Sequence, residues 1–421
     1  MKRLFVLLFL FPSLSFASSG GDWYEKGNGG FVVMCDKEAL MVFDLFEAQV
    51  RYKMIFDGQA LGTLDERVEY LLTKFDKHNK SRAALYRRWY KEFFNEAEFI
   101  PNAKFNPTGD IGFGYIPKNC SLEQVIFQRA PNILNQFRYL INLDLWQALS
   151  IENQAALVMH ELIYRELTLP PNIHESSEAA RYFNALLNSE QFQKLSYQQY
   201  ILTLQELRFS KADYGDLVIV VGEKKLEGGW YKIPVDFFDR DHLKSATLDN
   251  VQNFKRGKFV YDSRCAAEAI DIGTVASFFP QGQIRLLAVR QTFPDLCGLP
   301  YFDYENAETK LRLHGTRWSF NETGQLITLA GNYNVNSEVQ IAFNLKGIKF
   351  EFGAQPQTII PVLFDFDDNE RISEFMLGTS ACFDPAEKTV RMNATTIGSS
   401  IFFNYEGLEQ EVEALEVCLI P

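Results

Sequence analysis

Residues 150–167 read SIENQAALVMHELIYREL and predict a central helix of the fold. Ser150 is a favoured N-cap residue, and Pro170 with Pro171 stops the helical pattern. A helical wheel separates an apolar side from a polar side. The apolar side holds Ala155, Val158, Met159, Leu162 and Ile163, and the polar side holds Gln154, His160, Glu161, Tyr164, Arg165 and Thr168. We expect a helix that buries one face and presents a compact polar stripe on the other.

The sequence around this helix divides into two parts. Apolar residues at helical spacing predict further helices over residues 64–77, 82–94, 175–188 and 190–207, with short strands at 31–34, 125–128 and 139–142. After Asp213 the pattern changes to short apolar runs separated by Gly, Asn and Asp. The chain is therefore predicted to be α+β, with a mainly helical domain over residues 18–212 and an all-β domain over residues 213–421.

Two segments of the β-rich part repeat without a gap. Residues 277–284 read SFFPQGQI, residues 319–326 read SFNETGQL, and Leu-Ala follows each copy at the same distance. Looser echoes place Phe343 before Gly347 and Phe403 before Gly407. Because Gly adopts the positive φ that tight turns need, each copy predicts a strand, a turn and a return strand. Serial hairpins of this kind predict a meander or an elongated sheet, and we interpret the repeat as architectural.

Two acidic stretches resemble metal loops superficially. Residues 365–370 read DFDDNE but lack the Gly and the distal Glu of an EF-hand, so a polar turn between strands is the better interpretation. His242 lies in FFDRDHL, residues 237–243, where a solvated turn is again favoured over a metal site.

The first residues have the pattern of a secretion signal. Lys2 and Arg3 precede an apolar run over residues 4–14, and small residues end it at Ala17, the expected cleavage site. Residues 1–17 are therefore predicted to be a signal peptide, and the mature protein to be periplasmic or secreted. We find no later stretch long and apolar enough to be a transmembrane segment.

Charge and cysteine content agree with this prediction. The formal net charge of −12 disfavours nucleic acid as a partner, because phosphate backbones repel an acidic chain. An even count of cysteines in an exported protein favours disulfides. The sequence leaves the connectivity open, and pairing within each region suggests Cys35–Cys120, Cys265–Cys297 and Cys382–Cys418.

The polar stripe carries the strongest chemical signal in the chain. Zinc hydrolases use His-Glu-x-x-His on a helix, because the two imidazoles reach one metal while the Glu activates its water. Here His160 and Glu161 are present, but Tyr164 occupies the second His position. His174 and Glu178 are the candidates for further zinc ligands. On this hypothesis Glu161 is the base, Tyr164 a weak ligand or oxyanion donor, and Arg165 a further catalytic candidate.

A purely structural interpretation of the stripe is also available. Glu161 and Arg165 have the i, i+4 spacing of an ion pair, and His160 can be a hydrogen-bonded histidine. Glu166 projects into the apolar side and needs a partner such as Arg181. A third hypothesis, a carbohydrate-active enzyme built on Glu161 and Glu166, is disfavoured because the two lie on different sides of the helix.

The motifs resemble two groups of known proteins. Residues 140–167 resemble the region around the zinc helix of zincin metallopeptidases, and depart from it at the second His. GNGGFVVMC, DLFEA, HELIYRE, RYFNALL and the repeated hairpins resemble exported proteins of predatory, Bdellovibrio-like bacteria. The second resemblance implies export and the two-part architecture, and it implies no activity.

These observations favour an exported, non-catalytic envelope or interaction protein. Its expected partner is a protein, a glycan or another cell-envelope component, and no cofactor is expected. The alternative is a zincin-like hydrolase with a zinc ion held by His160.

Overall fold

A computed structural model of the chain describes most of the helical part and much of the β-rich part. The described residues are 30–36, 38–57, 61–105, 116–131, 136–170, 172, 174, 176–226, 229–249, 253–256, 259–262, 274–289, 301–305, 310–314, 317–335, 339–345, 348–354, 358–368, 372–377, 380–386, 388–393 and 402–404. The predicted signal peptide lies outside them. None of the described helices is long and apolar enough to cross a membrane.

The N-terminal half contains the helices, as predicted. They are α1 (Phe43–Arg51), α2 (Leu64–Asp76), α3 (Lys80–Phe93), α4 (Leu143–Ala148), α5 (Ile151–Thr168), α6 (Glu178–Asn188), α7 (Glu190–Lys194) and α8 (Tyr197–Glu206). Two small sheets accompany them, with strand orders β2-β1-β4 and β3-β6-β5. Their strands are β1 (Phe31–Cys35), β2 (Glu38–Val42), β3 (Ala97–Ile100), β4 (Cys120–Gln124), β5 (Ile126–Gln128) and β6 (Tyr139–Asn142).

Helix α5 is surrounded on all sides, so its polar stripe is buried as well as its apolar side. Ser150 caps the helix as expected, because its Oγ accepts a hydrogen bond from Asn153 N at 3.4 Å. Every residue from Ala155 to Tyr164 is buried. Helices α2, α3 and α6 and strand β2 pack around α5, and together they cover both the apolar and the polar side.

The predicted disulfide between Cys35 and Cys120 is confirmed. The two cysteines are register partners on the neighbouring strands β1 and β4, with Cα atoms 4.1 Å apart. Cys265, Cys297 and Cys418 lie outside the described residues, and Cys382 belongs to a strand of the β-rich part. The other two predicted pairings therefore stay predictions.

The C-terminal half is built on one 11-stranded sheet. Ten of its strands follow the order β27-β24-β23-β20-β19-β16-β15-β12-β8-β7, and β11 pairs with β12 beside this path. These strands are β7 (Lys211–Tyr214), β8 (Leu217–Val220), β11 (Asp236–Phe237), β12 (Leu243–Leu248), β15 (Thr274–Phe278), β16 (Ile284–Val289), β19 (Arg317–Phe320), β20 (Leu326–Val335), β23 (Thr358–Phe366), β24 (Ile372–Leu377) and β27 (Phe402–Asn404).

Smaller sheets are formed by hairpins that lie, in the sequence, between consecutive strands of the main sheet. The hairpin β9–β10 is a separate two-stranded sheet, and the others combine into two four-stranded sheets, β13-β14-β17-β18 and β21-β22-β26-β25. Their strands are β9 (Glu223–Leu226), β10 (Gly229–Lys232), β13 (Asn253–Arg256), β14 (Phe259–Asp262), β17 (Tyr301–Glu305), β18 (Lys310–His314), β21 (Val339–Leu345), β22 (Ile348–Ala354), β25 (Ser380–Asp384) and β26 (Thr389–Asn393).

Four strand pairs of the main sheet share one register pattern, so the repeat has more copies than its sequence indicates. The copies are residues 236–243, 277–284, 319–326 and 365–372. In each copy the Phe at the second position is the register partner of the aliphatic residue at the eighth, and the register shifts just before that Phe. Gly282 and Gly324 have the positive φ expected of the turn. The two copies with acidic sequences have Asp241 and Glu370 at this position instead.

The looser echo at Phe343 is not a further copy of this turn, and the echo at Phe403 stays a prediction. Phe343 belongs to β21, which pairs with β22 in a smaller sheet. Phe403 belongs to the main-sheet strand β27, and Gly407 lies outside the described residues.

The helical part covers the β7 edge of the main sheet. Arg82 on α3 donates a hydrogen bond to the Lys211 carbonyl at 2.8 Å, and the Tyr197 hydroxyl donates to the Asp213 carbonyl at 2.5 Å. Strand β7 crosses the predicted domain boundary at residues 212 and 213. One cluster of buried residues runs from α5 and α8 into the sheet as far as Phe364 and Ile372, so the two parts share a core.

Candidate functional site

His160 is the centre of a buried polar network that links three helices. Its Nδ1 lies 2.7 Å from Oδ2 of Asp44 on α1, and only 1% of the His160 side chain is exposed. Asn184 on α6 donates to the same Asp44 oxygen at 2.7 Å and to the Ala156 carbonyl of α5 at 2.9 Å. The network therefore fixes α1 and α6 against the middle of α5.

The charges of Asp44 and His160 stabilise each other. Burial is the largest influence on the pKa of Asp44 and raises it, but the attraction and hydrogen bond of His160, the hydrogen bond of Asn184 and the charge of Arg181 together lower it. Burial is likewise the largest influence on the pKa of His160 and lowers it, but the attraction and hydrogen bond of Asp44 and the charge of Glu161 together raise it. Both shifts favour an imidazolium–carboxylate pair inside the core.

Glu161 faces another direction and anchors Gly30, the residue that precedes β1. Its Oε1 accepts a hydrogen bond from the Gly30 N–H at 2.7 Å. Gln128 on β5, with its amide nitrogen oriented toward Glu161, donates to Oε2 at 2.7 Å and to the Glu161 carbonyl at 2.9 Å. Burial raises the pKa of Glu161 to about 7, although His160 and the Gly30 N–H oppose the shift.

Other polar residues of α5 have partners different from those expected. Arg165 pairs with Glu96 at 2.9 Å, so the expected Glu161–Arg165 ion pair is wrong. Glu166 does have a cationic partner, but it is Arg82, whose Nε lies 3.0 Å from Glu166 Oε2. Arg181, the partner suggested by the sequence, pairs with Glu47 at 3.0 Å instead. The distance in sequence between these partners explains why helical spacing did not identify them.

The candidate zinc ligands are in different surroundings. His160 is inside the core, whereas His174 Nε2 lies 3.2 Å from the Arg208 carbonyl oxygen. Glu178 is at the surface, where its Oε1 lies 3.7 Å from the Arg51 guanidinium. Tyr164 is buried beside His160, with ring centroids 6.1 Å apart. Across the described parts of the chain, no group of three or more His, Cys, Asp and Glu side chains is placed to hold a metal ion.

The main sheet presents a different kind of candidate site, which we call the open face. Its side chains alternate with the buried ones along each strand and form two register ladders across the sheet. All are at least partly exposed. One ladder holds Ser245, Ser277, Leu286, Ser319, Thr328 and Asp365, and the other holds Thr247, Val275, Ala288, Arg317, Ala330 and Leu363.

The two ladders of the open face carry few charged side chains. They consist mainly of Ser, Thr, Ala and branched aliphatic side chains, with one Arg and one Asp. The sequence predicted the hairpins that build this face, but its two ladders depend on the register across five strand pairs.

Comparison with protein-family models, curated proteins and solved structures finds no match to this chain.

Proposed function

We propose that this chain is an exported, non-catalytic interaction protein that binds a cell-envelope component through the open face. The observation that carries the proposal is the engagement of His160 and Glu161 inside the core, where Asp44, Gly30 and Gln128 occupy them. A catalytic pair has to reach a substrate, and these two side chains are 1% and 0% exposed. Their contacts support a structural role for the helix.

The repeated turns support a binding role for the β-rich part. Each turn reverses the chain at the same register and adds a strand pair to one continuous sheet. The resulting face is broad and carries few charges, which suits contact with an extended partner such as a glycan or a protein surface. Export is consistent with the disulfide between Cys35 and Cys120, because such bonds persist in oxidising compartments.

Co-sedimentation of the purified protein with isolated cell-envelope fragments tests the proposal. We expect binding that Leu286→Glu and Ser319→Arg weaken, since both substitutions place a charge in the open face. Leu202→Glu is the matched control, because Leu202 is an exposed leucine on α8, in the helical part. Equal loss of binding in the control, or no loss in the two open-face variants, would contradict the proposal. Circular dichroism verifies that all three variants fold.

One observation favours the zincin-like hydrolase as a second candidate. Asp44 accepts from His160 Nδ1, and Nε2 has no hydrogen-bond partner among the described residues, an arrangement that also orients zinc-binding histidines. The described residues do not fit zinc, however, because no further donors converge on Nε2. Elemental analysis of tag-free protein separates the candidates: stoichiometric zinc that is lost in His160→Ala would favour the hydrolase, and its absence the interaction protein.

A further inference from the structure

The first ladder of the open face carries a row of side-chain oxygens. Five of its six positions hold a hydroxyl or a carboxylate, and these are Ser245, Ser277, Ser319, Thr328 and Asp365. Neighbouring strands lie about 4.7–4.9 Å apart, so the oxygens recur at that spacing over roughly 24 Å, with one interruption. An extended polymer that lies across the strands would therefore meet a hydrogen-bonding group at almost every step.

Most of these hydroxyls are available to a ligand. The Ser245 hydroxyl donates to Asp236 Oδ2 at 2.8 Å and keeps its acceptor lone pairs. The hydroxyls of Ser277, Ser319 and Thr328 make no hydrogen bond with any described residue, and all three side chains are partly exposed. A hydroxyl both donates and accepts, so the row can bond to hydroxyl and amide groups alike.

The second ladder runs beside the first and is mainly apolar. On every strand the two ladders are separated by two residues, which is about 6.4–6.8 Å along an extended chain. Val275, Ala288, Ala330 and Leu363 occupy four positions of the second ladder, and all four are partly exposed. Because apolar groups gain free energy when they leave water, this row favours a partner with methyl groups at matching positions.

The charges of the two ladders are balanced. They hold one cation, Arg317, and one anion, Asp365, on a chain whose formal net charge is −12. A polyanion such as an acidic capsule would need a surplus of cations, and a polycation would need a surplus of carboxylates. The ladders offer neither, so their chemistry matches a sugar backbone that carries no regular charge.

N-acetylated sugars combine the two features that the ladders require. An unsubstituted sugar has hydroxyls on its edges, which suit the first ladder but leave the second ladder without an apolar contact. An acetamido group adds a methyl group beside the sugar ring, together with an amide N–H and a carbonyl. A strand of such sugars therefore has polar groups and methyl groups side by side along its length.

We propose that the open face binds an extended glycan strand of N-acetylated sugars in the cell envelope, with the glycan lying across the β-strands. The oxygens of the first ladder bond to the sugar hydroxyl and amide groups, and the second ladder packs against the acetyl methyl groups. This inference rests on the proposed function and names the ligand class of that same face.

Binding of the full chain to insoluble chitin and to cellulose, measured by depletion from solution, tests the ligand class. Both polymers are β-1,4-linked, and they differ in the acetamido group. We expect chitin to bind and cellulose to bind at least about tenfold more weakly, because two lost methyl contacts of about fourfold each already exceed this factor. Equal binding to the two polymers, or binding to neither, would overturn the proposal.

Val275→Thr tests the apolar ladder with little change in side-chain shape. It should weaken chitin binding about fourfold, the value of one methylene-sized apolar contact. Val50→Thr is the matched control, because Val50 is a partly exposed valine on α1, in the helical part, and it should leave binding unchanged. Equal weakening by the two variants, with circular dichroism showing both folded, would contradict the role of the second ladder.

Digestion of the envelope fragments separates this inference from the proposed function. Binding to the fragments should survive a protease and be lost after a glycosidase that cleaves between N-acetylated sugars. If the protease removes the binding instead, the partner is a protein, so this inference fails and the proposed function stands. Fragments that do not bind before digestion would overturn both.

Discussion

Removal of the Asp44 carboxylate is expected to destabilise the helical part strongly. Asp44→Ala leaves His160 Nδ1 and one of the two N–H groups of Asn184 Nδ2 without an acceptor, each originally 2.7 Å from Asp44 Oδ2, in the buried core. An unsatisfied buried polar group costs about 1–3 kcal/mol, and breaking a buried ion pair by removing one partner costs about 3–5 kcal/mol. The two figures overlap in what they count, so we expect a loss of about 4 kcal/mol in the free energy of unfolding.

A double-mutant cycle isolates the pair from its surroundings. Asp44→Ala, His160→Ala and the double variant are unfolded in urea and followed by circular dichroism and tryptophan fluorescence. We expect the double variant to be more stable than the sum of the single losses implies, by about 1–3 kcal/mol, because no charge is left unpaired. Glu98→Ala, which removes an exposed carboxylate on β3, is the control. Additive losses in the cycle would refute the reasoning that these two side chains form a coupled pair.

pH provides a second test of the same pair. The raised pKa of His160 means that its contribution is fully present below its unfolded pKa of 6.5 and is lost as pH rises through the folded value. The lowered pKa of Asp44 means that its contribution is present above 3.8 and is lost as pH falls through the folded value. The stability difference between wild type and Asp44→Ala should therefore be largest between these limits and narrow on either side.

Three further predictions concern the surroundings of the network. Gly30→Ala should destabilise the protein by about 1–3 kcal/mol in urea unfolding, because its Cβ would lie 2.3 Å from Leu157 Cδ2; an unchanged midpoint would contradict this packing. The free energy of unfolding of wild type should fall as pH rises from 4.5 to about 7, because in that range the Glu161 carboxyl is ionised only in the unfolded chain. Glu161→Gln should abolish this fall, and a variant with the wild-type pH profile would exclude Glu161 as the cause. The Cys35→Ala/Cys120→Ala double variant, which lacks the bond across 85 residues, should lose about 4.5 kcal/mol, measured as the shift in urea midpoint against wild type without reductant; an unchanged midpoint would contradict this stabilisation.

The sequence predicted elements better than it predicted their surroundings. Ser150 and the Pro170–Pro171 pair bound α5 correctly, because capping and the missing proline N–H act locally. The helical wheel could not show that Asp44 of α1, Asn184 of α6, Gly30 and Gln128 of β5 meet the polar side. Asp44 is separated from His160 by 116 residues, and no local spacing indicates such a pair.

Only two of the four copies of the repeat could be recognised from the sequence. Glycine marked the turns at Gly282 and Gly324, whereas Asp241 and Glu370 conceal the other two. What all four copies retain is a Phe followed six residues later by Leu or Ile, the pair that meets across the bulged turn. A search for that apolar spacing would have found every copy, and the Gly-based search could not.

Because the helical part covers β7, the main sheet has one edge that is closed to further strands. Arg82 and Tyr197 donate hydrogen bonds to the Lys211 and Asp213 carbonyls of β7, to which an added strand would have to bond. The helices therefore also protect the protein from self-association through this edge. A further strand would have to pair at the opposite end of the strand order, beside β27. The helical part thus fixes one end of the main sheet and determines the direction in which further hairpins would extend it.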